Sequence, residues 1–285
     1  MHGVNELSTV ESPPPTHRRA APRRAVVVAA VFAAAALGGG AGAAIYAEST
    51  GATRTVKETT VGASNVSRTT SSLSVGEIYR KDVRGVVEIQ TTTSRRVAGP
   101  FGSSETATER ALGTGFVYDS SGDIVTNEHV IDGATSITVK LADGSTHKAT
   151  VVGADASHDL AVLHIVAPES KLHPLTLGDS DTMQVGDDVV AIGDQFGLTD
   201  TVTTGIVSAL NRTITSPNNT PIRNAIQTDA AINHGSSGGV LVNSRGEVIG
   251  VTSQIESSSN GSNGVGFAIP ANTVKSVVTH LIGNA

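Results

Sequence analysis

From residue 86 to residue 270 the chain alternates short apolar runs with polar turns. The runs are VVEIQ, GTGFVYD, DIVTN, SITVKL, KATVVG, LAVLHI, DVVAIG, TVTTGIVSAL, NAIQT, GGVLV, VIGVTSQ and VGFAIP. They are short and rich in Val, Ile and Thr, residues that suit a pleated, half-buried surface. About twelve such runs, with no long amphipathic helix between them, predict an all-β barrel or sandwich. DSSGD and ADGST have the chemistry of hairpin turns. A short helical pattern, VGEIYRKDVRG, leads into the first run, and a second, Ala271 to Ile282, follows Pro270 and closes the domain. No period of solenoid type is present.

The hydrophobic pattern differs before this region. Residues 1–24 hold Pro clusters and four arginines without apolar periodicity, and read as a basic, Pro-rich cytoplasmic tail. Residues 25–47 carry no charge, long enough for one bilayer-spanning helix. Four arginines just before this run favour a cytoplasmic N-terminus, which makes it an N-terminal transmembrane signal-anchor. A cleaved signal peptide is the rival, because small residues near 41–47 suit a signal peptidase. A buried Ala-rich core helix fits poorly beside a Pro/Arg tail. Residues 48–75 form a Ser/Thr-rich linker, and 76–285 the globular domain. The expected location is a single-pass cell-membrane protein with its domain outside the cytoplasm, or a secreted one if the segment is cleaved.

Composition narrows the chemistry. About 210 residues remain for a core, enough to bury most apolar surface without staples. The absence of cysteine excludes a disulfide scaffold, a thiolate metal site and a cysteine nucleophile. Net charge is −6, and the tail alone contributes +2, so the remainder is acidic. An acidic body disfavours a nucleic-acid partner.

The segment INHGSSGGVL, residues 232–241, places two serines among glycines. A serine hydroxyl is a weak nucleophile until a base removes its proton, and the base needs a carboxylate to fix its tautomer. Among nine histidines, His2 and His17 lie in the tail and His280 in the last helix. His147 and His173 sit in polar loops, and His164 occupies a strand position. His158 directly precedes Asp159, so the two point opposite ways on an extended segment. His234 is three residues from Ser237, too local to be held as its base. His129 ends a β run and suits a base. Asp159 stands before a buried-looking strand and needs a partner there; Asp155 and Asp179 fit turn-capping roles better. Gly238 and Gly239 after Ser237 allow close approach of a substrate backbone, and the N–H groups of Gly235 and Ser237 can converge on an oxyanion. A flexible Gly/Ser loop is the plain alternative.

TNEHVI, HDLAVL and QTDAAINHGSSGGVL together resemble the catalytic blocks of trypsin-like serine proteases of the HtrA/Deg type. GTGFVYDSSGDIVTN, VGDDVVAIGDQFGL, TVTTGIVSALNR and GVGFAIP fall between or after them in that family's order, over about residues 76–283. The resemblance implies two six-stranded antiparallel β-barrels, His129 as general base, Asp159 as its orienter and Ser237 as nucleophile. It also implies an oxyanion hole of backbone N–H groups over Gly235, Ser236 and Ser237. Ser236, Val240, His234 and Glu128 depart from the family's usual residues, and with the sequence ending at Ala285 the expected form is one lacking the PDZ domain of many relatives. In such folds the residue six before the nucleophile, here Ala231, lies at the base of the first pocket. With Ile232 beside it, the pocket suits small aliphatic side chains. Relatives often form homotrimers regulated by loops; the Arg95–Arg110 segment is a candidate loop, or an ordinary long hairpin connection.

Three rival readings compete with this one. GSSGG matches the G-x-S-x-G elbow of α/β-hydrolases, but no Asp follows Ser237 and the segment runs on as a strand. A metal site at His158, Asp159 and His164 fails, because a regular strand separates the two histidines by about 20 Å. A catalytically latent protease fold acting as a binding protein is the remaining alternative. The expectation is therefore an extracytoplasmic serine endopeptidase of HtrA-like quality control, acting on proteins and peptides through an acyl-enzyme, without metal or cofactor.

Overall fold

The sequence places a capping signal ahead of the first strand. Ser74 accepts a hydrogen bond from the Glu77 amide at 3.3 Å, while the Glu77 carboxylate accepts from the Ser74 amide at 2.8 Å. This reciprocal box starts helix α1, Val75–Asp82. The computed structural model describes residues 72–98, 104–195, 198–253 and 264–284. The tail, the apolar run at 25–47 and the linker as far as residue 71 lie outside the described residues, while the last linker residues, Ser74 and Val75, already belong to the start of α1. Among the described residues no helix is long and apolar enough to cross a membrane.

Six strands form the first closed barrel: β1 (Val86–Ala98), β2 (Ser104–Val117), β3 (Asp123–Thr126), β4 (Ser136–Lys140), β5 (Thr146–Asp155) and β6 (Leu160–Ile165), paired in the order β1-β2-β3-β6-β5-β4. Six more form the second: β7 (Asp188–Gln195), β8 (Leu198–Thr215), β9 (Pro221–Thr228), β10 (Val240–Asn243), β11 (Val248–Ser253) and β12 (Gly266–Pro270), in the order β10-β11-β12-β9-β8-β7. All these pairings are antiparallel. Each apolar run named from the sequence falls on its own strand, in chain order. DSSGD and ADGST turn as expected, with Asp119 and Asp143 accepting from the amides of Ser121 and Ser145, each at 2.9 Å.

Alternation along the strands explains both interiors and the seam. Val87, Ile89, Val117, Ile124 and Leu163 fill the first barrel; Val189, Ala191, Leu241 and Ile249 fill the second. Their neighbours Val86, Phe116, Val125, Val190, Ile192, Val240 and Val251 form a further core that draws on both barrels. Strands at the seam are thus apolar on both faces, and β3, β10 and β11 are buried throughout. A short helix α2 (Glu128–Ile131) follows β3. Helix α3 (Ala271–Gly283) adds Val274 and Val278 to the shared core, with Leu281 packed over Gly153.

One expectation changes here. The Arg95–Arg110 segment is largely strand: β1 and β2 continue in register to Ala98↔Ser104. Polar and β-branched residues, with Thr92 opposite Arg110 and Thr93 opposite Glu109, form a two-stranded ribbon where a loop was anticipated. Residues 99–103 lie outside the described ones.

Candidate active site

The turn after β3 brings three polar side chains to the seam. Asn127, fully buried, donates its amide Nδ2 to the Asp159 carbonyl at 2.8 Å. Two residues on, in the first turn of α2, the His129 backbone N–H donates to Asp159 Oδ1 at 3.1 Å. The His129 ring is held by the same carboxylate, with Nδ1 2.8 Å from Oδ1 and 2.9 Å from Oδ2. A carboxylate oxygen accepts, so Nδ1 carries the hydrogen and Nε2 presents its lone pair. The His129 side chain is 14% exposed and that of Asp159 wholly buried.

Asp159 sits just before β6 with φ +53°, a left-handed conformation that costs a non-glycine residue on the order of 1 kcal/mol or more. Bonds at its side chain and carbonyl hold it there. The Ser253 hydroxyl, at the end of β11, donates to Asp159 Oδ2 at 3.1 Å. The second barrel thus adds its own donor to those that α2 and Asn127 supply.

Ser253 also ties the His–Asp pair to the serine turn. The Gly238 amide donates to the Thr252 carbonyl at 2.8 Å, and the Thr252 amide to the Gly239 carbonyl at 2.9 Å. Ser237, 3% exposed, is therefore one residue from a strand whose next residue grips Asp159. Gly238 has φ +86°, and a Cβ on it would lie 2.0 Å from the Thr114 carbonyl and 2.4 Å from Thr126 Oγ1. Only glycine lets the turn approach β2 and β3 this closely.

Asn233 to Ser236 form a tight turn, closed by the Ser236 amide donating to the Asn233 carbonyl at 3.0 Å, with Gly235 at φ +93° in its third position. That conformation is the type II signature, open to glycine at little cost. Ser236 is more than a backbone spacer. Its hydroxyl accepts from the Asn233 amide at 3.0 Å and donates to the Asn233 carbonyl at 2.5 Å, closing the turn a second time.

Ala231 and Ile232 precede this turn. The Ala231 carbonyl accepts from Thr203 Oγ1 at 2.9 Å, and Ile232 is buried against Gly266 of β12. Val240 is fully buried in β10, paired with Ile192 and Val251. Glu128, beside His129, accepts from Asn218 Nδ2 at 2.9 Å, a contact with the turn between β8 and β9. Partial burial pushes its carboxyl above the usual range, with Asn218 acting in the opposite direction.

The other candidates lie elsewhere. His158 pairs with Asp155 at 2.7 Å and His164 with Asp123 at 2.9 Å, while Asp155 and Asp179 cap turns at Ser157 and Asp181. Among the described residues no group of three His, Asp or Glu is arranged to hold a metal ion. Sequence reasoning passes over Asn127, Thr114, Thr252 and Ser253. The available signal is a polar residue at the edge of an otherwise apolar strand, as in GTG and VTS.

Paired six-stranded barrels, with a part-exposed His held by a buried Asp and a glycine-bracketed serine at their seam, define the trypsin-like class. Residues 113–251 match the family model of the trypsin-like peptidase domain. Protease Do-like 1, chloroplastic, of Arabidopsis thaliana is 45% identical over 214 residues, which are 75% of this chain and 48% of that protein. The periplasmic serine endoprotease DegP of Escherichia coli K12 is 48% identical over 173 residues, 60% of this chain and 36% of that one. A solved structure of the HtrA-type protease AlgW with a decapeptide superposes with a TM-score of 0.64 at 35% identity, covering 74% of this chain and 68% of that one. A second, with a tripeptide, gives 0.64 at 38% identity over 73% and 64%. The chain belongs to the HtrA/DegP family of trypsin-like serine proteases. It spans about half the length, or less, of the curated relatives it matches.

Proposed function

We propose that this protein is a serine endopeptidase that cleaves proteins or peptides outside the cytoplasm. His129 Nε2 takes the proton of the Ser237 hydroxyl as Oγ attacks the scissile carbonyl. The resulting oxyanion is received by the N–H groups of Gly235 and Ser237, and the imidazolium returns its proton to the leaving amine. Water then hydrolyses the acyl-enzyme by the same route. Asp159 holds the tautomer and stabilises the imidazolium.

The observation that carries this reading is the His129 Nδ1–Asp159 couple at 2.8 and 2.9 Å, itself bonded to Ser253 beside the strand that anchors the Ser237 turn. The turn residues Ser236 and Gly235 are ordered by specific hydrogen bonds, which favours a working site over a latent one. Ala231 and Ile232 support a first pocket for Val, Ala or Ile. Periplasmic relatives and the uncharged run at 25–47 support an extracytoplasmic domain carried on an N-terminal membrane segment, with residues 48–75 as its linker.

The test is labelling by a fluorophosphonate probe, which reports an activated serine. Wild type should label and Ser237→Ala should not, with kcat lower by on the order of 10⁶. A wild-type protein that stays unlabelled under all conditions would establish the latent reading instead.

A further inference from the structure

Thr114 stands out among the residues around the turn. It lies near the end of β2 and is fully buried, yet it makes hydrogen bonds to four residues on three segments: the serine turn, β3 and β7. Its N–H donates to the Ser237 carbonyl at 2.9 Å. Its carbonyl accepts from Thr126 Oγ1 at 2.7 Å. Its hydroxyl donates to the Gly235 carbonyl at 2.6 Å and accepts from the Asp194 N–H at 2.9 Å. The acceptance from Asp194 leaves the single hydroxyl hydrogen for Gly235.

The consequence follows from peptide planarity. A peptide unit is rigid and trans, so fixing its carbonyl fixes the opposite direction of its N–H. Thr114 Oγ1 fixes the plane between Gly235 and Ser236, and Thr114 N–H fixes the plane between Ser237 and Gly238. Between them, the Ser236 carbonyl accepts from Thr252 Oγ1 at 2.5 Å and from the Gly239 amide at 2.9 Å, which sets the direction of the Ser237 N–H. The remaining donor, Gly235 N–H, lies across a glycine whose φ of +93° has little intrinsic preference. Its orientation depends on what holds the far side of Gly235: the Asn233 carbonyl, which accepts from the Ser236 N–H within the turn, and the Thr114 hydroxyl, which supplies the hold from outside the turn.

We infer that Thr114 is a positioning residue of the reaction: its hydroxyl, supplied by the first barrel, sets the peptide orientation of the oxyanion turn of the second. This rests on the reading of that turn as the oxyanion site. Thr114 touches no reacting atom. It acts through the direction of the Gly235 N–H.

The experiment compares Thr114→Val, close in shape but without the hydroxyl, with Thr114→Ser, which retains it. Thr114→Ala is the second hydroxyl deletion, in case the valine methyl against the Asp194 amide prevents folding. Each full-length variant is assayed for kcat and KM on a peptide ester. Affinity for a peptidyl boronic acid, which mimics the oxyanion, is measured beside affinity for an uncleaved peptide on a Ser237→Ala background. Loss of one oxyanion donor is typically worth 10²–10³ in rate, so the hydroxyl deletions should lower kcat by on the order of 10². Boronate affinity should fall in parallel, KM and peptide affinity should change less than about 3-fold, and Thr114→Ser should stay within about 5-fold of wild type. The inference is overturned if folded Val and Ala variants keep wild-type kcat. It is equally overturned if Ser fails as Val does, or if active-site titration accounts for the whole loss as a smaller number of competent sites. If Ser237→Ala still labels and turns over, the underlying oxyanion reading fails, and that outcome is separate from any result at Thr114.

Discussion

Replacing Asp159 by Asn tests the orientation of the base at a position where the geometry leaves few escapes. Both carboxylate oxygens lie within bonding distance of His129 Nδ1, at 2.8 and 2.9 Å. An amide has one acceptor and one donor group, so either rotamer of the substituted side chain puts an NH₂ within 2.9 Å of Nδ1. The His129 backbone N–H requires an acceptor at the Oδ1 position, which directs the NH₂ to the Oδ2 side. There it still lies next to the ring and displaces the donor hydrogen of Ser253. The ring relieves this by moving its hydrogen to Nε2, where the lone pair is needed to accept from Ser237. The expected loss in kcat is on the order of 10⁴, as for the wrong tautomer in a comparable triad. The fold should persist, because Asn is nearly isosteric and the Asn127 bond to the backbone carbonyl is untouched. The assay is kcat/KM on a peptide substrate with fluorophosphonate labelling rate and thermal midpoint measured on the same preparation. A folded Asp159→Asn protein retaining more than about a tenth of wild-type kcat would refute tautomer control as the role of this residue.

Two other outcomes follow from the structure. Asp82 is 3% exposed and its Oδ2 has no hydrogen-bond partner. Burial pushes its carboxyl from an ordinary 3.8 up to about 6, while Lys81 acts in the opposite direction. The folded state therefore holds this proton more tightly than the unfolded chain. The stabilisation is complete below about pH 4 and is lost as pH rises through about 6. Asp82→Asn should flatten the thermal midpoint across that window and raise it near pH 7, by about 2–4 °C if the gain is ~1 kcal/mol; an unchanged pH profile by calorimetry would refute the assignment. At the substrate pocket, Ala231 and Ile232 predict cleavage of a peptide library mainly after Val, Ala and Ile. A profile dominated by Arg or Lys would rule this pocket out.

What the sequence determined by itself was local. Period-two alternation in SITVKL marks a strand because successive side chains leave opposite faces, and a short β-branched run such as VIGVTSQ marks a strand buried on both. Asp and Gly in DSSGD and ADGST mark turns because those residues bond their own backbone or accept unusual dihedrals. His129, Asp159 and Ser237 could be singled out by residue type and by their places at strand edges. The Arg95–Arg110 ribbon was harder to read, since polar and β-branched residues suit an exposed strand pair as well as a loop.

The tertiary structure decided everything that depends on one barrel touching the other. Ser253 is remote in sequence from Asp159, and Thr114 from Gly235, yet each pair is joined by a hydrogen bond of 3.1 and 2.6 Å respectively. Nothing in GTG or VTSQ states those partners, because a hydroxyl in a buried strand carries no record of which carbonyl or carboxylate it will meet. The same holds for Ser236, whose side chain closes its own turn only once Gly235 has adopted φ +93°. Strand identity is written in nearest neighbours along the chain. The donors that steer the serine turn are selected only when two closed barrels bury a common apolar seam and bring their strand ends into one polar cluster.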